Sequence, residues 1–338
     1  MLLSRKALQR VLGLLWLIDG LLQLQPQMFT MNMVNGVMKP MLVGQPGLFA
    51  PSLQFIVTQT TQHLTAVNLV IAIVQILLGL AFLLLPDRWI RDLVFVSIVW
   101  ALIVWYGGEG MSMLFTGTSS ILTGSPGAVL LYPLLGFAVI PRKKRTTDVP
   151  EATRKMGDNG LLSRQTLRYV LAGFWIFGAL LQLQPNWWQP GQISQTISSF
   201  IGMGGLNNWL VDPVLKQLST VAANIEIPLN IALIVVFLAL GIGLAVVKRE
   251  QLPPLLIASI VVSLVFWYFT EAFGGILTGM ATDFNSGLLV VIMALAVWPR
   301  ASVKQAVSAR TRYARELREA GQESQENKVE GSGSAQHA

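Results

Sequence analysis

The chain has 338 residues, 53% of them hydrophobic and only 12% charged, with a formal net charge of +7 and no cysteine. Soluble domains carry roughly 25% charged residues, so the composition, with a mean hydropathy of +0.58, describes a protein whose solvent is lipid. The missing thiols exclude disulfides, thiolate metal sites and CxxC redox chemistry, and with only His63 and His337 for imidazole, haem or zinc ligation has no ligand set.

Apolar runs follow in order near 7–24, 64–86, 90–107 and 127–141, then near 167–184, 227–247, 253–270 and 286–299. They predict an all-α integral membrane protein with eight transmembrane helices, although some runs are shorter than the ~20 residues that cross about 30 Å. The first run follows the basic "SRKALQR" and has no small-residue cleavage site after it, so it reads as a retained anchor. Of the 24 Lys and Arg, all but Lys39 and Lys216 fall in the N-terminus, the "PDRWIRD" turn, the linker up to Arg168, the "KRE" turn or the tail. The positive-inside rule then places both termini in the cytoplasm of a multi-pass plasma (inner) membrane protein, with 25–63 and 185–226 outside. Contact with anionic headgroups accounts for the basic charge, and no nucleic-acid partner is needed.

The hexamer "LLQLQP" occurs at Leu21 and again at Leu180. Residues 2–26 and 161–185 share 14 identities in 25 positions. At an offset of 162, Asn68 matches Asn230, Gly79 matches Gly241, Trp105-Tyr106 matches Trp267-Tyr268, Glu109 matches Glu271, and Thr116-Gly117 matches Thr278-Gly279. The organisation predicted is a tandem duplication: a first four-helix membrane repeat (1–141), a basic cytoplasmic linker (142–160), a second four-helix repeat (161–300) and a cytoplasmic tail (301–338). Four helices per unit give two parallel repeats. The tail begins as a basic surface helix and ends in low-complexity polar letters that read as disordered.

Each half, with "RVLGLLWLIDGLLQLQP" or "RYVLAGFWIFGALLQLQP" followed by "NLVIAIVQILLGLAFLL" or "NIALIVVFLALGIGLAVV", resembles the DoxX/DoxD-like superfamily of four-helix membrane proteins. The resemblance implies a four-helix bundle, and some relatives are subunits of quinone-linked sulfur oxidation. Gln75 stands where many relatives carry an acid, and Phe237 replaces it in the second half.

Trp16, Asp19 and Gln23 share one helical face, as do Asn68, Gln75 and Gly79. An ionised Asp at the bilayer centre costs roughly 2.5 to 3.5 kcal/mol, so Asp19 is protonated, bonded to a partner or facing water, and a buried neutral Asp bonding a neighbouring helix is the plain alternative to a functional one. Its partner position is Gly178. The predicted ligand-binding residues are Asp19, Gln23, Gln25, Asn68, Glu109 and Thr116 in the first half and Gln182, Gln184, Asn230, Glu271 and Thr278 in the second, forming two outward-facing pockets. "GGEGMSMLFTGTSSILTGSPG" and "TEAFGGILTGMATDFNSG" are too apolar for free loops and too broken by Gly for regular spans, as expected of segments that dip into a membrane beside a cavity. Met28, Met31 and Met33 are weak Cu(I) candidates, thioether softness being the only warrant. No cofactor is indicated, and neither nucleophile elbow nor P-loop occurs.

The function expected is a polytopic membrane protein that binds or passes a small polar or amphipathic ligand, more a binder than an enzyme. The alternatives are an accessory or anchor subunit of a quinone-linked redox complex, held by a membrane-protein partner, and a structural membrane protein with no ligand.

Overall fold

The computed structural model describes residues 3–141 and 161–299; the linker and tail expectations fall outside them. The described residues are helical, with no strand. In chain order the principal helices are α1 (Arg5–Leu22), α2 (Ala50–Gln62), α3 (Leu64–Leu84), α4 (Ile90–Gly107), α5 (Ala128–Val139), α6 (Arg164–Gln182), α7 (Gln192–Ser198), α8 (Asp212–Asn224), α9 (Glu226–Val246), α10 (Leu252–Phe269) and α11 (Asn285–Val297). Each of the eight apolar runs contains a helix. Four helices are long and apolar enough to cross a membrane: α3, α4 with the turn before it, α9, and α10 with the turn before it. The helices α5 and α11 are apolar but have only 12 and 13 residues.

The segments 25–63 and 185–226 are not plain loops. Their second halves form α2 and α8, each running to within two residues of the next long helix. Hydropathy did not mark them because a helix lying on a surface is apolar on one side only. Beneath α2, Met28, Met33, Met38 and Met41 are buried with Val34 and Val57 in an apolar cluster, while Met31 is exposed. The three weak copper candidates therefore do not share an environment, and flexible thioethers suit the irregular packing they do here.

Helix pairing follows from small residues and buried polar bonds. Along the chain α1 packs most closely on α3, and α6 on α9. At Gly79 an added Cβ would lie 2.5 Å from the Leu17 backbone nitrogen, and at Gly241 it would lie 2.5 Å from Ile176 Cγ1, so glycine is what lets each pair of axes approach. Trp16 Nε1 donates to Ser97 Oγ (3.0 Å), and Trp175 Nε1 donates to Ser259 Oγ (2.9 Å), tying α1 to α4 and α6 to α10. Asn68 Nδ2 donates to the Gln23 carbonyl (2.7 Å), and Asn230 Nδ2 to the Gln182 carbonyl (3.2 Å). These two amides satisfy carbonyls left open where α1 and α6 end.

The opposite ends of α3 and α9 are closed from α1 and α6. Gln9 Nε2 donates to the Phe82 carbonyl (2.8 Å). At the matched position Arg168 is buried and donates to the carbonyls of Leu244, Ala245 (3.2 Å) and Val247 (2.6 Å). A cation at a helix C-terminus also complements the macrodipole. Arg168→Ala leaves those carbonyls unpaired and is expected to lower the unfolding free energy by about 2 to 4 kcal/mol, whereas Arg168→Gln, the residue type of the first half, should recover much of that loss. Thermal unfolding in mild detergent measures both; equal stability of wild type and Arg168→Ala would contradict this cap.

Candidate functional site

The residues that follow α4 and α10 turn the chain back sharply. Gly110, Met111, Ser112 and Met113 all have positive φ, as do Ala272, Phe273, Gly274 and Gly275 at the matched places. Left-handed backbone costs a non-glycine residue roughly 1 to 2 kcal/mol, so the surroundings must hold these turns. They are held by the repeated Trp-Tyr-x-x-Glu letters. Trp105 Nε1 donates to the Pro126 carbonyl and Trp267 Nε1 to the Phe284 carbonyl, each at 2.7 Å. Glu109 Oε1 accepts from the Val129 N–H (3.2 Å) and Oε2 from Ser112 Oγ (3.0 Å). Glu271 Oε2 accepts from the Gly287 N–H (2.9 Å) and Oε1 from Ser286 Oγ. Each glutamate thus caps the N-terminus of a short helix, α5 or α11.

Burial pushes both carboxyls up to about 8, aided for Glu109 by the nearby Asp283 and opposed for Glu271 by its hydrogen bonds. A raised folded pKa means the fold holds the proton more tightly than the unfolded chain. The associated stability is complete below about 4.5 and is lost as pH rises through about 8.

The two irregular segments are exchanged between the halves. Gln184 Nε2 donates to Ser119 Oγ (2.9 Å), Gln182 Nε2 to Ser120 Oγ (2.6 Å) and Trp187 Nε1 to the Ser119 carbonyl (2.9 Å). In return Gln25 Nε2 donates to the Ala281 carbonyl (3.4 Å). The glutamines of "LLQLQP" therefore grip the loop of the opposite half. Thr116 and Thr278 serve local turns: Thr116 Oγ1 donates to the Met113 carbonyl and Thr278 Oγ1 to the Gly275 carbonyl.

Of the predicted site residues, Asp19, Gln23 and Glu109 line one cavity of about 830 Å³, and Asn68 is buried beside Gln23; Gln25, Thr116, Gln182, Gln184, Asn230, Glu271 and Thr278 lie elsewhere. The walls are mostly apolar and come from α1 to α5, with Met33, Val37 and Met38 from the segment before α2 and Asp283 and Thr282 reaching in from the second loop. Asp19 is 2% exposed; its Oδ2 accepts from Tyr132 Oη at 2.6 Å, and Oδ1 has no protein partner. Gln23 Oε1, Gln75 Oε1 and Trp100 Nε1 also line the cavity without a protein partner. Buried polar atoms without partners each cost roughly 1 to 3 kcal/mol, and here they converge on one space.

The second half keeps Gln182 and Glu271 in place of Gln23 and Glu109 but differs at other positions. Gly178 replaces Asp19, Phe237 replaces Gln75 and Ile121 replaces Asp283. An added Cβ on Gly178 would lie 2.6 Å from Ile121 Cδ1, so the isoleucine sits against the glycine. Phe237 packs between Trp175 and Phe266, with ring centroids 5.5 and 5.4 Å away. The second bundle is filled with rings at the level where the first has its carboxylate and amides. Sequence reasoning missed Tyr132, Trp100 and Asp283 as lining; the lone acid of one loop opposite Ile121 was the available signal for Asp283.

Among the described residues no three Asp, Glu or His side chains converge to hold a metal ion. Compared with known proteins, the chain matches no family model, no curated protein and no solved structure.

Glu271→Ala should lower stability by about 1 to 3 kcal/mol, while Glu271→Gln, which mimics the protonated acid, should hold it. The wild-type melting temperature should fall as pH rises from 6 to 9, and Glu271→Gln should flatten part of that slope. Melting curves across pH check this; a wild type that becomes more stable over that range contradicts the burial of these acids.

Proposed function

We propose that this chain is a multi-pass plasma (inner) membrane protein of eight transmembrane helices, built as two parallel four-helix repeats with both termini in the cytoplasm. On this reading it binds or passes an amphipathic ligand through one cavity, in the first repeat. The matched bonds of Trp16 and Trp175, Asn68 and Asn230, and Glu109 and Glu271 support the duplication. The sequence resemblance to the DoxX/DoxD-like superfamily agrees with a bundle of this kind, and we offer membership as a proposal resting on those letters.

The observation that carries the ligand is the union of an apolar space large enough for a drug-sized molecule with four unpaired polar atoms on residues that line it. Access is lateral. The helices α3 and α4 make few contacts with each other, and Val70, Val99, Leu102 and Ile103, which line the cavity, are exposed. A molecule dissolved in the bilayer can enter between them with its apolar body and place its polar head at Asp19 and Gln75.

Native mass spectrometry of protein extracted in mild detergent should show one bound amphipathic molecule per chain. Gln75→Phe, which copies the residue of the second half, should remove it at unchanged melting temperature. A wild type without ligand, or a Gln75→Phe variant that keeps it, would overturn this reading; a bound quinone would favour a redox accessory role.

The orientation has its own test. Cysteines placed at Ser52 and Ser194 should react with an impermeant thiol reagent added outside intact cells, and one at Lys248 should not. Labelling at Lys248→Cys from outside would reverse the topology.

A further inference from the structure

The cavity is one-sided in charge. Asp19, Glu109 and Asp283 line it, and no Lys, Arg or His among the described residues does. Glu109 has both oxygens engaged on Val129 and Ser112, and Asp283 accepts from the Asn285 N–H (2.6 Å) and Thr282 Oγ1 (2.8 Å). Asp19 is different: one of its oxygens is free and buried, and it lies in the same cavity as the free carbonyl oxygens of Gln23 and Gln75. The amides of Gln23 and Gln75 carry N–H donors as well as these oxygens, and Trp100 Nε1 adds another, so the neutral groups offer both donors and acceptors and the one-sidedness lies in the three carboxyls. A positive charge is what this set lacks.

The aromatic lining points the same way. Trp16, Trp100, Tyr106 and Tyr132 border the cavity, and the Trp16 and Tyr132 rings lie 4.5 Å apart beside Asp19. Ring faces attract a desolvated cation by about 2 kcal/mol or more. An inorganic ion does not fit this set, because the acids do not converge as ligands and the walls are apolar. An anionic lipid head would meet three acids and no base.

The comparison between halves isolates the same feature. Asp283 belongs to the second loop yet lines the first cavity, and its counterpart Ile121 belongs to the first loop yet packs on Gly178. Two acids on one side of the exchange face an isoleucine and a glycine on the other. Glu271, the acid the second half keeps, is fully used in capping α11.

Resting on the reading of this cavity as a ligand site, we infer that its occupant is an amphipathic organic cation, with a positively charged head beside Asp19 and Asp283 and an apolar body in the slot between α3 and α4. Burial raises Asp283 above its ordinary value and pushes Glu109 up to about 8, so in the empty site Glu109 holds a proton at neutral pH. A cation competes with that proton. Of the titratable groups that face the site, Asp19, Glu109, Asp283, Tyr106 and Tyr132, the acids set the effect, and binding should tighten with rising pH by up to about tenfold per unit for one proton displaced.

The test uses the full chain in nanodiscs of zwitterionic lipid and three probes: tetraphenylphosphonium, the similarly shaped anion tetraphenylborate, and neutral diphenylhexatriene. Tetraphenylphosphonium should bind saturably, one per chain, more tightly at pH 8 than at pH 6, and at least tenfold more weakly to Asp19→Asn. Diphenylhexatriene should bind wild type and Asp19→Asn alike and be lost in Gln75→Phe, and tetraphenylborate should not saturate. Equal binding of the two ions, or an affinity that is flat or falls with pH, would overturn the cation inference while leaving the cavity reading intact. Loss of selective diphenylhexatriene binding as well would overturn the cavity reading itself. Should Asp19→Asn fail to fold, Asp283→Asn and the wild-type pH profile decide the matter in the same terms.

Discussion

A helix of 12 or 13 residues is about 18 to 20 Å long, too short for the ~30 Å of a bilayer core, so on the proposed eight-span reading α5 and α11 begin within the apolar slab. Their first N–H groups cannot turn to water, and an unpaired backbone donor there costs several kcal/mol. The rest of the architecture follows from meeting that demand. A glutamate just past α4 or α10 reaches the helix start, a tryptophan one turn earlier holds the chain before it, and a left-handed turn brings both into place. The chain between turn and helix then becomes a packed loop, free to be gripped by the opposite half.

That exchange bears on why the two halves differ at this level. The glutamine at the end of α6 and those just past α1 and α6 hold the two loops reciprocally, so a residue changed in one loop acts on the bundle of the other half. With Asp283 the first cavity gains an acid; with Ile121 the second loses its space. Phe237 and Phe266 around Trp175 complete the filling, in the close-packed manner of a protein interior. The first half accepts unpaired polar atoms around its cavity that must be compensated elsewhere.

Much of the helical framework was legible in the sequence, because hydropathy and the repeated letters are local signals. Asp19 and Gln23 stood out as polar letters sharing a face, and that face does turn inward. The roles of Gln25, Gln182 and Gln184 were not legible, since their partners sit in the other half, 62 to 256 positions away. Glu109 and Glu271 were legible as a shared constraint, while its nature, helix capping, depends on a turn whose positive φ values fall mostly on ordinary residues such as Met111 and Phe273. The difference between the bundles was hidden for a related reason. Alignment shows Phe237 opposite Gln75, but only packing shows that three aromatic rings meet there.

The central claim is that two similar bundles differ in having one occupied slot between them. An electron-microscopy map of the protein extracted with native lipid tests it directly. The account predicts ordered, elongated density between α3 and α4 that ends at Asp19 and Gln75, with none at the matching place between α9 and α10. Equivalent density in both slots, or density only beside Phe237, would contradict it.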